Sequence, residues 1–223
     1  MKPGIVHSSQ AVTLLGAGEI RPQSLTDALA LAPLLVAADG GANVAISAGF
    51  TPHRVIGDLD SANAETRATI PADRFWFVDE QETTDFEKCL TRIEAPMILG
   101  LGFTGARIDH LLAVFAVLMR HPQKRCLILG REDVVFLAPR RIALDLAPGT
   151  RVSLYPMGPV TGESRGLRWP IGGIAFAPDG RLGTSNEATG PVELEFDCPR
   201  MLAILPLGCL KAVIAALERS PVC

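Results

Sequence analysis

Apolar and polar positions follow one regular scheme over the first 138 residues. Short apolar runs alternate with segments in which apolar residues recur at helical spacing, a pattern typical of a parallel sheet whose strands are joined by helices. The predicted strands are Val12–Leu15, Leu34–Ala38, Arg54–Ile56, Phe75–Val78, Met97–Leu99, Cys126–Leu129 and Val134–Leu137. Helices are expected near residues 24–31, 41–48, 62–69, 84–92 and 107–120.

Beyond Pro139 the scheme changes. Glycine and proline become frequent, and short alternating runs appear at Arg151–Tyr155, Val192–Phe196 and Met201–Leu205, which indicates antiparallel β structure. A short amphipathic helix is expected over residues 210–217. The sequence therefore predicts an α/β domain followed by an all-β domain, with the boundary near residues 140–150.

Composition excludes two classes of protein. Hydrophobic residues make up 48% of the 223 residues and charged residues 20%, which excludes a disordered chain. The net charge of -3 leaves no surplus of basic residues to neutralise a nucleic acid, so we expect no nucleic-acid partner.

The chain is also expected to be cytoplasmic. Its longest apolar stretch, Leu111 to Met119, is nine residues long, whereas a membrane-spanning helix needs roughly 20. Near the N-terminus, the run from Ala11 to Leu15 is too short for the core of a signal peptide. The five cysteines are scattered without C-x-x-C spacing, as expected for free thiols in a reducing compartment.

Acidic residues follow three of the predicted strands: Asp39, Asp58 with Asp60, and Asp79. Ligands of open α/β folds bind beyond the carboxyl edge of the sheet, where these acids are expected to lie. Aspartate also ends strands simply because it favours turns, but four acids at one edge favour a ligand site. The Asp58-Leu59-Asp60 segment could bring two carboxylates together for Mg²⁺, although such a spacing is also common in loops.

The segment around Asp85 has a structural interpretation and a functional one. Thr84 followed by Glu87 is a capping box, and Asp85 would occupy the first helical position, where an acid favours the helix dipole. Such a cap is compatible with a second role, in which Asp85 reaches a metal held by Asp58 and Asp60.

Two glycine-rich segments follow predicted strands, at residues 16–18 and 100–107. Their main-chain N–H groups could bind phosphate, and Arg107 would add a forked cationic donor. The second segment lacks the Gly-Lys-Ser/Thr ending of a P-loop, which disfavours an ordinary P-loop NTPase. His110, at the start of an apolar helix, is expected to be packed rather than to act as a base.

Six motifs occur in order between residues 11 and 205, and together they resemble the thiamine pyrophosphokinase family. They are Asp39-Gly40-Gly41-Ala42-Asn43, Gly57-Asp58-Leu59-Asp60-Ser61, Gln81 with Thr84-Asp85-Phe86, Gly105-Ala106-Arg107-Ile108-Asp109-His110, Gly166-Leu167-Arg168-Trp169-Pro170 and Thr184-Ser185-Asn186-Glu187. The chain departs from the family's usual pattern at Leu59, where phenylalanine is usual, and at Ala106, where a second glycine is common.

The resemblance implies a fold, a reaction and an assembly. A Rossmann-like α/β domain with a mostly parallel sheet, residues 1–142, would bind ATP, and an all-β sandwich domain, residues 143–223, would bind thiamine. Pyrophosphoryl transfer from Mg-ATP to the hydroxyethyl group of thiamine would give thiamine diphosphate and AMP. The protein would be a homodimer whose active sites each draw on both chains.

The resemblance also implies roles for individual residues. Catalysis and Mg²⁺ binding would fall to Asp58, Asp60 and Asp85. The nucleotide would contact Asp39, Gly40, Gln81, Thr84, Gly102, Gly105, Arg107 and Asp109. Thiamine would contact Trp169, Ser185 and Asn186.

Alternative interpretations stay open at this point. The same architecture could transfer pyrophosphate to another heterocyclic alcohol, such as a pterin, or it could serve a sensor that binds thiamine diphosphate or a nucleotide without catalysis. A tryptophan face suits the thiazolium cation of thiamine, but Trp169 taken without its surrounding motif is better explained as a core residue of the β domain.

Overall fold

A computed structural model describes residues 6–105 and 107–221 of the chain, apart from the side chain of Pro22. Ala106 and Cys223, which were named in the sequence predictions, lie outside the described residues. The chain forms two compact units: residues up to Val117 with Ile128–Arg131, and Leu118–Leu127 with the residues from Glu132 onwards. The assignment of ATP to residues 1–142 and of thiamine to residues 143–223 stays a prediction.

The first unit is built from short parallel strands and helices in alternation. Its strands are β1 (Val6–His7), β2 (Val12–Leu15), β3 (Leu34–Ala38), β4 (Arg54–Gly57), β5 (Phe75–Phe77), β6 (Ile93–Glu94) and β7 (Ile98–Leu101), and β8 (Cys126–Leu129) begins at its border. Its helices are α1 (Pro22–Leu31), α2 (Gly41–Ser47), α3 (Ala64–Thr69), α4 (Asp85–Leu90) and α5 (Ile108–Arg120). Strand β2 pairs with β7, β3 with β4, β4 with β5 and β1 with β6, all in parallel, which confirms the predicted parallel pairing.

Burial explains why these runs become strands. Every residue of β2, β7 and β8 is buried, as expected for parallel strands that are covered on both faces. Strand β7 extends two residues beyond the predicted Met97–Leu99 because Gly100 pairs with Leu14 in the ladder. A glycine-rich segment had indicated a loop there, and pairing with β2 makes it a strand.

Glycines allow the loops after β2 and β7 to approach each other closely. The Gly18 N–H donates to the Gly102 carbonyl at 2.9 Å. A Cβ atom on Gly16 or Gly18 would lie 2.7 or 2.6 Å from that carbonyl oxygen, which is closer than such atoms can approach. Gly102 itself has a positive φ of 73°. These three residues, called the glycine junction below, keep main-chain atoms at the carboxyl edge of the strands.

The second unit is antiparallel, as predicted. Its strands are β9 (Asp133–Leu137), β10 (Arg141–Leu144), β11 (Arg151–Pro156), β12 (Gly162–Leu167), β13 (Gly183–Phe196) and β14 (Met201–Pro206), and α6 (Leu210–Arg219) follows them. The long strand β13 pairs with β10, β11 and β12, while β14 pairs with β11 and β9. The sequence patterns missed β1, β6, β10, β12 and the first half of β13.

Two further expectations can be compared with the described residues. Cys89, Cys126, Cys198 and Cys209 are free cysteines, as predicted. Among the described helices, none has the length and apolar character that crossing a membrane requires.

Candidate active site

A cleft of about 550 Å³ lies in the first unit at the carboxyl ends of its strands. It is lined by Gly16, Ala17, Gly18, Ala38, Asp39, Gly40, Asp58, Ser61, Gln81, Thr83, Thr84, Asp85, Phe86, Lys88, Gly102, Phe103, Gly105, Arg107, His110 and Val114. The structure thus places in one cleft most of the residues predicted to bind nucleotide and metal. Asp60 and Asp109 are outside that lining but adjoin it through their neighbours, whereas the strand-end acid Asp79 is exposed and does not line the cleft.

Three carboxylates form the acidic end of the cleft. Asp39, Asp58 and Asp60 each offer an oxygen atom within 4.8 Å of the others. Between the last two, Leu59 adopts a positive φ of 61° and packs into a core cluster with Ala37, Ala42, Val55 and Ile70. The buried Leu59 side chain anchors this turn, which brings the two acids together.

Asp39 is held in an environment that disfavours its charge. The residue is 3% exposed, and its Oδ1 atom has no hydrogen-bond partner among the described residues. Burial raises the pKa of its carboxyl group, and the nearby acids Asp85, Asp58 and Asp60 raise it further against the lowering effect of Ser61. A buried carboxylate oxygen without a partner, beside two other carboxylates, fits a hard divalent cation such as Mg²⁺.

Lys88 is a buried cation that the sequence analysis did not single out. Its Nζ atom lies 3.2 Å from Asp58 Oδ2 and 3.0 Å from Asp85 Oδ1, and its side chain is 3% exposed. Although burial acts against ionisation in both Asp58 and Lys88, their hydrogen bonds prevail, so that the pKa of Asp58 is lowered and the pKa of Lys88 is raised. Asp85 therefore joins the acidic cluster through Lys88. The i, i+3 spacing of Asp85 and Lys88 could have indicated this pair, but not the second bond to Asp58.

Helix α4 carries Asp85 and Lys88 into the cleft. Thr84 is its N-cap, and the Thr84 hydroxyl accepts a hydrogen bond from the Glu87 N–H at 3.3 Å, which confirms the predicted cap. The buried ring of Phe86 packs edge-on against Phe103, with 4.8 Å between ring centroids. The same helical turn therefore presents polar groups to the cleft and anchors itself through an aromatic contact.

Arg107 lies exposed at the start of α5. Its Nε and Nη2 atoms lie 3.2 and 2.5 Å from the two carboxylate oxygens of Asp109, so Asp109 fixes the direction of the guanidinium fork. His110 is exposed and lines the cleft, so the prediction that it is packed was wrong. The apolar face of α5 is buried only from Val114 onwards, and the first turn of the helix stands clear of that packing.

The residues predicted to bind thiamine belong to the second unit. Trp169 is 53% exposed, which contradicts its interpretation as a core residue. Ser185, on β13, is exposed and has a positive φ of 62°, whereas Asn186 is buried. The Asn186 side chain bonds to the main chain of Trp169, so the structure brings these two motifs together.

Comparison with known proteins finds similarity to one family. A model described as the catalytic domain of thiamin pyrophosphokinase matches residues 25–129. Thiamine pyrophosphokinase 1 of Oryza sativa subsp. japonica is 28% identical over 238 residues, covering 82% of this chain and 90% of the relative. Thiamine pyrophosphokinase 1 of Arabidopsis thaliana is 26% identical over 189 residues, covering 70% and 71%. By all three comparisons the chain is similar to thiamine pyrophosphokinases.

Solved structures of thiamin pyrophosphokinases share the fold. The enzyme from Candida albicans superposes with a TM-score of 0.77 at 15% identity, covering 90% of this chain and 93% of that one. The enzyme from Geobacillus thermodenitrificans gives 0.72 at 24% identity, covering 88% and 96%. The likeness of these thiamin pyrophosphokinases therefore extends well beyond the stretch that the catalytic-domain model matches, into the region that contains Trp169, Ser185 and Asn186.

Proposed function

We propose that this protein is a thiamine pyrophosphokinase, which transfers the pyrophosphoryl group of ATP to the hydroxyethyl oxygen of thiamine and releases AMP. The observation that carries this proposal is the cleft that brings Asp39, Asp58 and Asp85 together with glycine-rich loops, with Asp60 clustered beside Asp39 and Asp58. The finer assignments that follow are part of the same proposal.

The nucleotide phosphates would enter between the glycine junction and the acidic cluster. Main-chain N–H groups near Gly40, Gly102 and Gly105 would donate to phosphate oxygens, while Gln81 and Thr84 line the same space. Arg107 would grip a phosphate with the fork that Asp109 orients.

The acidic cluster would hold Mg²⁺. The oxygen set of Asp39, Asp58 and Asp60 fits this ion, and Asp85 reaches the same cluster through Lys88. When bound, Mg²⁺ supplies charge neutralisation to the phosphate oxygens. This places Asp39 among the metal ligands as well as among the nucleotide contacts.

The reaction needs no nucleophile from the protein. The thiamine hydroxyl oxygen attacks the β-phosphorus of ATP, and the bond from that phosphorus to the oxygen it shares with the α-phosphorus breaks, which frees AMP. Positioning and charge neutralisation are the main requirements of such a transfer. Lys88 and Arg107 would supply fixed positive charge.

Thiamine would lie against the exposed indole of Trp169, whose π face attracts the thiazolium cation, with the Ser185 hydroxyl nearby. We place these groups in a β-sandwich thiamine domain and the acids in a Rossmann-like ATP domain. A cytoplasmic homodimer would complete each site with Asp85 from one chain and Trp169 from the other.

The deciding experiment measures AMP release from ATP when thiamine is added in the presence of Mg²⁺. We expect AMP and thiamine diphosphate in equal amounts, and no AMP with the Asp58→Asn variant. A panel that replaces thiamine with hydroxymethyl pterins tests the alternative substrate class. If thiamine binds without any AMP release, the protein is a sensor and the proposal fails.

A further inference from the structure

We infer that Asn186 is a positioning residue, which holds the indole of Trp169 in place and does not itself bind thiamine. The inference rests on the proposed function, because it concerns the site to which thiamine is assigned there. It assigns Asn186 a different role from the direct contact that the family resemblance implies.

The side-chain amide of Asn186 is already engaged by the main chain. Its Nδ2 atom donates to the Trp169 carbonyl at 2.7 Å, and its Oδ1 atom accepts from the Trp169 N–H at 3.2 Å and from the Glu187 N–H at 2.8 Å. Only one orientation of the amide satisfies both main-chain groups of Trp169, so the donor and acceptor assignments are fixed. With 8% of Asn186 exposed, the amide has little polar surface left for a ligand.

The position of Trp169 in the chain explains what this two-point contact does. Trp169 follows the end of β12 and lies outside the sheet, where the ladder bonds no longer fix its backbone. The Asn186 amide binds the N–H and the carbonyl of the same residue, and so replaces the missing ladder partner. Its anchor is β13, the long strand that also pairs with β12.

Neighbouring groups restrain the indole on one side. The Arg168 guanidinium lies 4.9 Å from the Trp169 ring centroid, and Arg168 is in turn 3.6 Å from a carboxylate oxygen of Glu187. One face of the ring is therefore covered by a cation, and the opposite face is the one that can receive a second cationic ring. Fixing the backbone of Trp169 decides where that face points.

Ser185 provides a matched comparison from the adjacent position. It is exposed, and its N–H donates to the Ser153 hydroxyl at 3.0 Å, so the backbone is held while its side chain faces outward. If Ser185 touches thiamine directly, its removal weakens binding whether or not Trp169 is present. Asn186, acting through Trp169, should behave differently.

The test combines a mobility measurement with a double-mutant cycle. In a Trp76→Phe background, Trp169 is the sole tryptophan, and Trp76 is not among the residues that line the cleft. Adding Asn186→Ala should increase the fast local motion of the indole in time-resolved fluorescence anisotropy. It should also raise the KM for thiamine by about tenfold, corresponding to the loss of two net hydrogen bonds, and leave the KM for ATP unchanged.

The cycle is completed in the full chain with Trp169→Ala. Because Trp169→Ala is expected to be inactive, the cycle is read in both backgrounds as the Kd for thiamine, measured by calorimetry. Without Trp169, Asn186→Ala should change that Kd by less than about twofold, because the group through which it acts is gone. Ser185→Ala should raise the Kd by a similar factor in both backgrounds. An Asn186→Ala loss that persists undiminished without Trp169, or an indole mobility that does not change, overturns the inference.

Two further measures cover the cases in which Asn186→Ala does not fold or the proposed function is wrong. If Asn186→Ala does not fold, Asn186→Asp enters the same cycle, since it keeps the acceptor oxygen but replaces the donor to the Trp169 carbonyl with a second, negatively charged acceptor. Failure of the proposed function is recognised separately, by wild-type protein that releases no AMP when thiamine is added. The anisotropy comparison does not depend on turnover, and it still decides whether Asn186 holds the indole.

Discussion

The acidic residues of the cleft differ in how strongly their surroundings disfavour the charged form, and Asp39 is the one whose pKa is raised. Its carboxylate is buried, one oxygen is unpartnered, and three other acids lie close enough to raise its pKa. Asp58 and Asp85 instead share the buried ammonium of Lys88. Repulsion among the acids therefore acts on Asp39, whereas Lys88 offsets it for Asp58 and Asp85.

Asp39→Asn should stabilise the metal-free protein. Burial raises the folded-state pKa of Asp39 above its ordinary value of 3.8, so ionisation of the wild-type residue destabilises the fold as pH rises above that value. Asparagine tolerates the positive φ of 40° at this position and removes the charge. We expect a gain of about 1 kcal/mol in the free energy of unfolding at pH 7, shrinking toward pH 4.

Urea denaturation with a chelator present, at several pH values between 4 and 7, measures this difference. The same variant should lose turnover in Mg²⁺. Equal or lower stability of Asp39→Asn at pH 7 would show that an unseen favourable contact compensates the buried charge.

Lys88→Met should have the opposite effect. Removing the ammonium leaves Asp58 and Asp85 without their shared partner, and we expect a loss of about 2 kcal/mol at pH 7, less than for a fully buried pair because both carboxylates are partly hydrated. Since the pKa of Asp58 is lowered in the fold, its stabilising contribution is present above pH 3.8 and is lost as pH falls through the folded-state pKa.

The measurement is again urea denaturation, at pH 7 and at pH 3. Arg141→Met is the control, because it breaks the exposed pair with Glu195 and should leave stability unchanged within error. A Lys88→Met variant as stable as the control at pH 7 would contradict the assignment of Lys88 as a structural counter-ion.

Arg107→Lys should affect ATP and spare thiamine. Lysine keeps the charge but loses the planar fork that Asp109 orients, so we expect the KM for ATP to rise about tenfold with an unchanged KM for thiamine. Steady-state kinetics with each substrate varied in turn measure the split. An unchanged ATP dependence would make Arg107 an exposed helix end without a role in binding.

At the scale of elements, the N-caps of two short helices allow an effect on stability to be distinguished from an effect on function. Helices α3 and α4 are both six residues long, and each begins with a side-chain N-cap, Asn63 and Thr84. Only Thr84 lines the cleft. Loss of either cap removes the same kind of bond from the same length of helix.

Thr84→Ala and Asn63→Ala should therefore each lower the free energy of unfolding by about 1 kcal/mol. Only Thr84→Ala should also raise the KM for ATP, because of the two caps only Thr84 lines the cleft to which the nucleotide is assigned. Thr84→Ser keeps the hydroxyl and should restore both properties. A rise in KM of equal size in Asn63→Ala would mean that general loosening, and not the position of Thr84, changes ATP binding.

The elements also show what a sequence pattern can predict. Fully buried strands such as β2 and β8 are continuous apolar runs and were predicted at their observed bounds. Strand β12, Gly162–Leu167, has one buried residue in six and is a strand because β13 pairs with it, which no local pattern records. The acids of the cleft were predicted from strand ends, whereas Lys88 was not, since the burial of a lysine is decided by residues thirty positions away.

At the scale of the whole molecule, the proposed homodimer predicts complementation between inactive variants. Asp85→Asn and Trp169→Ala would each damage both sites of their own homodimer. A mixed dimer would collect both changes in one site and leave the other intact. Random re-association yields half mixed dimers, so we expect about one quarter of wild-type activity.

Activity after joint dissociation and re-association measures this recovery, with a mass tag to count mixed dimers. Asp58→Asn mixed with Asp85→Asn is the matched control, because both changes would fall in the acidic part of the site contributed by one chain, and it should recover nothing. Mixed dimers of Asp85→Asn and Trp169→Ala that stay as inactive as their parents would show that Trp169 serves its own chain.

The glycine junction limits which substitutions this protein can accept. Gly16 and Gly18 each face the carbonyl of Gly102 across a gap that has no room for a methyl group, and Gly102 faces Gly16 in the same way. A substitution at one of these three glycines does not make room for a side chain at another. Each clash is with a main-chain carbonyl oxygen of the opposite loop, which is present whatever residue occupies that position. At the open position Gly208, by contrast, a side chain meets nothing within 4 Å. The loops after β2 and β7 must therefore change together. Neither can acquire a side chain at the glycine junction unless the main chain of the other loop has first moved away.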